Sequence, residues 1–307
     1  MDLQLVAEDL WFPEGPVILA DGSVLLVEIR RQTLSRVAPD GRRETVAELG
    51  GGPNGVAIGP DGAVYVCNNG GAFAWQDTWD YHLPGEHPAT YKGGSIQRVD
   101  IKTGAFTTLY DHCDGKPLNA PNDLVFDSTG GFWFTCFGWS DGEARRMGAL
   151  YYARADGSKI VRWRHDVVAP NGVGLSPDET TVYMADCMNG RLYAMELTAP
   201  GEMAPPPTPD PGRIGHVVAT LPGYQWLDSL AVQADGRVAV GTLFNGGITV
   251  FDPRDGAYEH IPCPDPVTTN ICFGGADMRD AWITCAMTGK LYKCRWPSAG
   301  LKLPFNA

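Results

Sequence analysis

One polar position recurs six times along this 307-residue chain, and every residue that fills it could offer an oxygen to a cation. Glu14, Asn54, Asn122, Asn171, Asp228 and Asn270 each follow a small or proline-bearing approach and precede an alternating apolar run, a turn and a second apolar run. Successive separations are 40, 68, 49, 57 and 42 residues. Two carboxylates and four amides are donors that hard divalent cations favour. Gathered away from water, the carboxylates would repel each other unless a cation neutralised them, and two negative charges match one divalent ion. A plainer reading is that Asn and Asp recur because the chain turns there, and Asn54-Gly55 taken alone favours it. The six in one register favour a shared site. Glu14 is a poor turn former, and Asn122-Asp123 and Asp228-Ser229 lack the turn glycine.

The elements that must position these residues are short strands. Runs such as Val24-Leu25-Leu26-Val27, Ala63-Val64-Tyr65-Val66 and Phe132-Trp133-Phe134 follow turn signals at Asp21-Gly22, Asp61-Gly62 and Thr129-Gly130. No long segment has helical periodicity, and 38 glycines and 24 prolines punctuate the chain. A repeat of roughly 40 to 50 residues built from short strands is that of propeller blades. The reading is all-β: a six-bladed β-propeller of four-stranded antiparallel blades in one domain spanning residues 1–307. The polar position opens the innermost strand of each blade and faces the axis. Two long intervals hold insertions. Gly71 to Gly94 carries Trp75, Trp79, Tyr81, His82, His87 and Tyr91, while Thr198 to Gly212 is proline-rich from Pro205 to Pro211 and suits an extended surface excursion. The sixth repeat lacks an outer strand after Lys290 to Cys294, and Leu3 to Ala7 is available to supply it, removing an open edge.

Composition excludes some functions. A net charge of −12 with no basic run argues against a nucleic-acid groove or an anionic membrane surface. No stretch approaches the roughly 18 apolar residues of a membrane span, and Met1-Asp2-Leu3-Gln4 does not open a secretory signal, so a soluble cytoplasmic protein is expected. The eight cysteines show no CxxC pair and sit mainly in apolar runs, the pattern of buried free thiols.

The ordered set Pro13-Glu14-Gly15-Pro16, Leu118-Asn119-Ala120-Pro121-Asn122-Asp123-Leu124, Pro170-Asn171-Gly172-Val173, Asp228-Ser229-Leu230 with Asn245-Gly246-Gly247, and Thr268-Thr269-Asn270-Ile271 resembles the regucalcin, gluconolactonase and diisopropylfluorophosphatase-like group of six-bladed propellers. The resemblance covers nearly the whole chain. It implies a divalent metal held by Glu14, Asn171 and Asp228, with Asn122 near or on it. It also implies hydrolysis of lactones, or in some members organophosphates, with Ca²⁺, Zn²⁺, Mg²⁺, Mn²⁺ or Fe²⁺ as the metal. No histidine occupies the repeated position, and an all-oxygen set suits Ca²⁺, Mg²⁺ or Mn²⁺.

On this reading the metal polarises the carbonyl of a lactone or related cyclic ester while water attacks. Asp228 is the candidate base; the alternative makes it a ligand only, with the metal activating the water. Substrate contacts are expected from Asn119, Asn122, Lys116, Trp75, Tyr91 and Phe137. Asp186 could orient Asn171 or serve a turn. One departure concerns the substrate: sugar-lactone members carry an arginine two residues before the third-blade asparagine, where this chain has Ala120. A less hydroxylated or larger ester fits that loss. Phosphotriester hydrolysis and a non-catalytic metal-binding propeller are the competing readings, and oligomeric state has no local signature.

Overall fold

A computed structural model describes residues 1–78, 81–205 and 215–306. Among the described residues its strands form six antiparallel sheets arranged as a six-bladed propeller and three small two-stranded hairpins, and the described residues contain no helix, so none long and apolar enough to cross a membrane. The innermost strands are Pro13–Ile18, Pro53–Ile58, Pro121–Phe126, Pro170–Leu175, Trp226–Val232 and Thr268–Gly274. Each is followed by progressively outer strands of its own blade. The sixth blade is completed by Gln4–Ala7, which pairs antiparallel with Lys290–Arg295 and closes the ring as the repeat required.

Hydrophobic packing lies in the seams between blades. Six buried clusters occupy six seams; Tyr65, Phe126, Phe132 and Phe134 fill the one between the second and third blades, for example, and Ile248, Ile271, Phe273 and Ile283 the one between the fifth and sixth. A twisted sheet cannot bury both faces alone, so each blade depends on its neighbours.

The innermost strands share an irregularity. Pairing with the second strand slips between Glu14 and Val17, Pro53 and Val56, Pro121 and Leu124, Pro170 and Val173, Leu227 and Leu230, and Thr268 and Asn270. A bulge re-aims side chains, and here it recurs at the repeated polar position. The turn reading of Asn-Gly is therefore overturned: Asn54-Gly55 and Asn171-Gly172 lie inside strands. Their glycines serve close approach. A Cβ on Gly55 would stand 2.6 Å from the Asn122 carbonyl oxygen, and one on Gly172 would stand 2.7 Å from that of Asp228. The missing side chain lets these two inner strands press against the next blade's polar residue.

The insertions resolve into smaller pieces. Trp75–Thr78 and Tyr81–Pro84 form a hairpin, while Trp79 lies outside the described residues. The second insertion starts later than the sequence suggests, because Arg191–Ala199 runs on and folds back on Glu202–Met203; most of the proline-rich stretch lies outside the described residues. The segment beyond Trp296 straps the face of the ring opposite the large cavity described below. Leu301 donates its N–H to Val232 and packs with the fourth and fifth blades, Leu303 with the third and fourth, and Phe305 with Phe126.

Gly172→Ala tests the close approach. The added methyl meets backbone atoms of Asp228 and Leu230 that cannot swing aside, so a loss of roughly 1–3 kcal/mol is expected in thermal or denaturant unfolding. Unchanged stability would show that the blades yield at the axis.

Candidate functional site

The six repeated side chains are all buried. Glu14, Asn54, Asn122, Asn171 and Asp228 line the floor of a cavity of about 410 Å³ that opens on one face of the ring. Asn270 lines instead a smaller cavity of about 90 Å³ on the opposite side of this plane, beneath which Leu301 and Leu303 of the strap pack.

Glu14 is held in place. Its Oε2 accepts from the Gly15 N–H at 2.7 Å and from Asn270 Nδ2 at 2.8 Å. Ser229 Oγ lies 3.4 Å from both Glu14 oxygens and from Asn171 Oδ1, and a hydroxyl has one proton to share among the three. The fourth-blade strand is fixed from behind, since Thr135 Oγ1 donates to the Asn171 carbonyl at 2.5 Å.

Electrostatically the floor is unbalanced. Burial raises the pKa of Glu14, and burial followed by the charge of Glu14 raises that of Asp228 well above the ordinary carboxylate range. A third carboxylate stands beside them, one that the sequence pattern left unassigned. Asp123 accepts from the Leu124 and Val173 N–H groups, and burial together with Glu14 pushes it up to about 8. None of the three forms an ion pair with Lys or Arg among the described residues. Asn122 Oδ1 is buried without a hydrogen-bond partner. These features fit a divalent cation: oxygen donors of the right hardness, carboxylates without a counter-charge, and an amide oxygen with a lone pair to spare. Among the described residues no three His, Cys, Asp or Glu side chains form a metal cage by themselves, so amides would have to complete the set. Cys187 also lines the cavity, but burial raises its pKa well above the usual thiol value, which keeps it protonated at neutral pH.

Aromatic and apolar groups build the walls: Phe12, Phe73, Phe137, Trp139, Trp226 and Leu243. His87 stacks flat on Trp139 with centroids 4.3 Å apart. Arg145 enters from the hairpin Trp139–Ser140/Arg145–Arg146, lies over the Phe137 ring, and donates through Nε to the Val168 carbonyl and through Nη2 to that of Phe137. No repeat marks it in the sequence.

Of the residues expected to meet substrate, Asn122 and Phe137 face the cavity. Trp75 packs behind the wall against Phe12 and Phe73, and the Tyr91 hydroxyl accepts the Ala120 N–H at 2.7 Å. Asn119 accepts the Gly138 N–H on its backbone carbonyl, and Lys116 is exposed on a two-stranded hairpin; neither lines the cavity. Asp186 serves the strand approach, accepting from the Ala169 N–H and Asn189 Nδ2.

Comparison with known proteins agrees with the fold and the repeat. A lactonase drp35 from Staphylococcus epidermidis is 24% identical over 276 residues, covering 82% of this chain and 72% of its own. A gluconolactonase from Zymomonas mobilis is 26% identical over 297 residues, covering 89% and 76% respectively. Among solved structures, a calcium-binding regucalcin from Agrobacterium tumefaciens superposes with a TM-score of 0.71 at 19% identity, over 99% of this chain and 98% of its own. The model of the SMP-30/Gluconolactonase/LRE-like region matches residues 12–287, from the strand carrying Glu14 to just past the second strand of the sixth blade, and the chain belongs to that family.

Proposed function

We propose that the protein hydrolyses a lactone at the floor of the large cavity, with one divalent cation held by Glu14, Asn171 and Asp228 and with Asn122 as a further oxygen donor. Family membership and the lactonase relatives support the reaction class. The observation that carries the site is the pair of buried carboxylates without a counter-charge beside the unpartnered Asn122 oxygen. When bound, the cation supplies Lewis-acid stabilisation of the negative charge that develops on the lactone carbonyl oxygen.

The protein's own groups divide the remaining work. Glu14 has one oxygen occupied by two N–H donors, so it serves as a fixed ligand. Asp228 is the other carboxylate at the cavity floor and takes the proton from the attacking water at its carboxylate oxygen. The same group returns that proton to the ring oxygen as the ester C–O bond breaks, giving the hydroxy acid. Phe137, Trp139 and Phe73 exclude bulk water and strengthen these electrostatic contacts.

A panel of sugar and aliphatic lactones, assayed with metal-stripped protein reloaded with Ca²⁺, Mg²⁺, Mn²⁺, Zn²⁺ or Fe²⁺, is the direct test. Ring opening should require a cation. Asp228→Asn should lose about 10²- to 10⁴-fold in kcat, and Glu14→Gln should also lose the stabilisation given by the cation. Turnover preserved in Asp228→Asn would remove Asp228 as base. Cation binding with turnover of phosphotriesters but no lactone would move the assignment to organophosphate hydrolysis.

Stability supplies an independent check. Glu14, Asp228 and Asp123 all have raised pKa values, so the folded protein holds protons that the unfolded chain releases. Their protonated forms favour folding at acid pH, and that contribution is lost as pH rises through the folded values. Chelated protein should therefore lose stability between the ordinary carboxylate range and about pH 8, the value of Asp123. A cation at 100 times its Kd should raise unfolding free energy by about 2.7 kcal/mol and flatten the slope. Identical melting curves with chelator and with every cation would sink the metal assignment.

A further inference from the structure

Beside the cavity mouth stands an aromatic group that the fold does not need. Tyr224 is 71% exposed and Phe244 is 46% exposed, although both are large rings. Their centroids are 4.8 Å apart, and Trp226 lies 5.9 Å from Tyr224 and 5.1 Å from Phe244. Trp226 is shared, since it also lines the cavity that holds Glu14 and Asp228. The rim and the cavity wall are thus one continuous aromatic surface.

Phe244 occupies this position at a cost. Its φ of 69° lies in the left-handed region, which glycine adopts freely and a bulky side chain does not. The backbone is pinned there by the Phe244 N–H to the Pro266 carbonyl at 2.6 Å. Asn245 Nδ2 donates to Gln225 Oε1 at 3.2 Å and ties the two rim loops together. Strain of this kind persists where surrounding structure over-determines it, and it concentrates at ligand-binding sites. The ring so presented stays nearly half exposed, which core packing does not account for.

Above its floor the polar side chains lining the cavity are Glu86, His87, Ser140 and Arg145, and His87 is stacked flat on Trp139. Ala120 is buried and has no polar side chain, and two of the N–H donors of Arg145 are spent on backbone carbonyls. Phe73, Phe137 and Trp139 supply the largest surfaces of the same wall.

We infer that Tyr224, Trp226 and Phe244 form a substrate subsite for an aryl group, so that the substrate is a lactone with an aromatic substituent reaching from the cavity floor to the rim. This rests on the lactonase reading for the ring and adds the chemistry of what the ring carries. Offset or edge-on stacking on three rings recognises a planar apolar group in a way that scattered aliphatic contacts do not. Continuity through Trp226 favours a substituent of the same ligand over a separate partner.

The test compares δ-valerolactone with its phenyl-substituted derivative as substrates of the cation-loaded protein, and the two corresponding lactams as non-hydrolysed ligands by calorimetry. The phenyl compound should be preferred by about tenfold or more in kcat/KM, through KM, and its lactam should bind tighter by a similar factor. Tyr224→Ala and Phe244→Gly should each lower that ratio. Phe244→Gly should do so with little change in melting temperature, because glycine relieves the strained φ, which separates loss of the platform from loss of the fold. Equal treatment of phenyl and unsubstituted compounds, or a ratio that neither variant moves, overturns the subsite. If no lactone is opened yet the phenyl lactam keeps a preference that both variants abolish, the subsite stands and the lactonase reading falls. Sedimentation shows whether the rim pairs two copies: a dimer lost in Tyr224→Ala with the lactam preference intact would assign the rim to self-association and overturn the proposal.

Discussion

Everything in this ring is arranged around buried carboxylates pressed together without a cationic side chain to offset them. Glu14 and Asp228 lie at the axis because six inner strands converge there, and Asp123 joins them one residue beyond a repeated position. Such a cluster is unfavourable unless protons or a cation neutralise it. The surrounding features all serve to hold it: the Gly15 N–H and Asn270 on Glu14, the Val173 and Leu124 N–H groups on Asp123, and the bulges that turn each polar side chain inward. The apolar seams outside provide the stability against which this repulsion is borne, since each blade buries its faces only on its neighbours.

Two consequences of close approach meet at the same glycines. Without a Cβ at Gly55 or Gly172, adjacent inner strands come near enough for their polar residues to share one small volume. Separated strands would leave the oxygens too dispersed to bind one ion. Chemistry and architecture are therefore not independent here, and a substitution made for one is felt by the other.

Much of this was legible in the residues. The repeated polar position gave the blade count, and the missing outer strand of the sixth blade matched the free run near Gln4–Ala7. Asp123 escaped because it follows Asn122 in the same strand, where strict alternation would turn it away from the axis; the bulge changes that. Arg145 escaped because it arrives on a hairpin inserted between the second and third strands of its blade, outside the repeated segments. Trp75 and Tyr91 belong to the right insertion, but their composition could not say that one packs behind the wall and the other caps the Ala120 N–H. Loop composition reports what a loop carries, and only packing decides which side chains turn inward. The strap at Leu301, Leu303 and Phe305 was likewise invisible, because three spaced apolar residues in a short tail have no periodicity strong enough to name a partner.

The pairing of Gln4–Ala7 with Lys290–Arg295 joins segments separated by nearly the full chain. During synthesis on the ribosome the first of these waits until the second has emerged, and through that interval five blades can stack while the ring stays open. Its two ends then expose unpaired strand edges and uncovered seam residues such as Leu26 and Val24. The interval is set by translation speed and by the long loop closure, so expression yield should respond to temperature and chaperone supply more strongly than the finished ring's stability suggests.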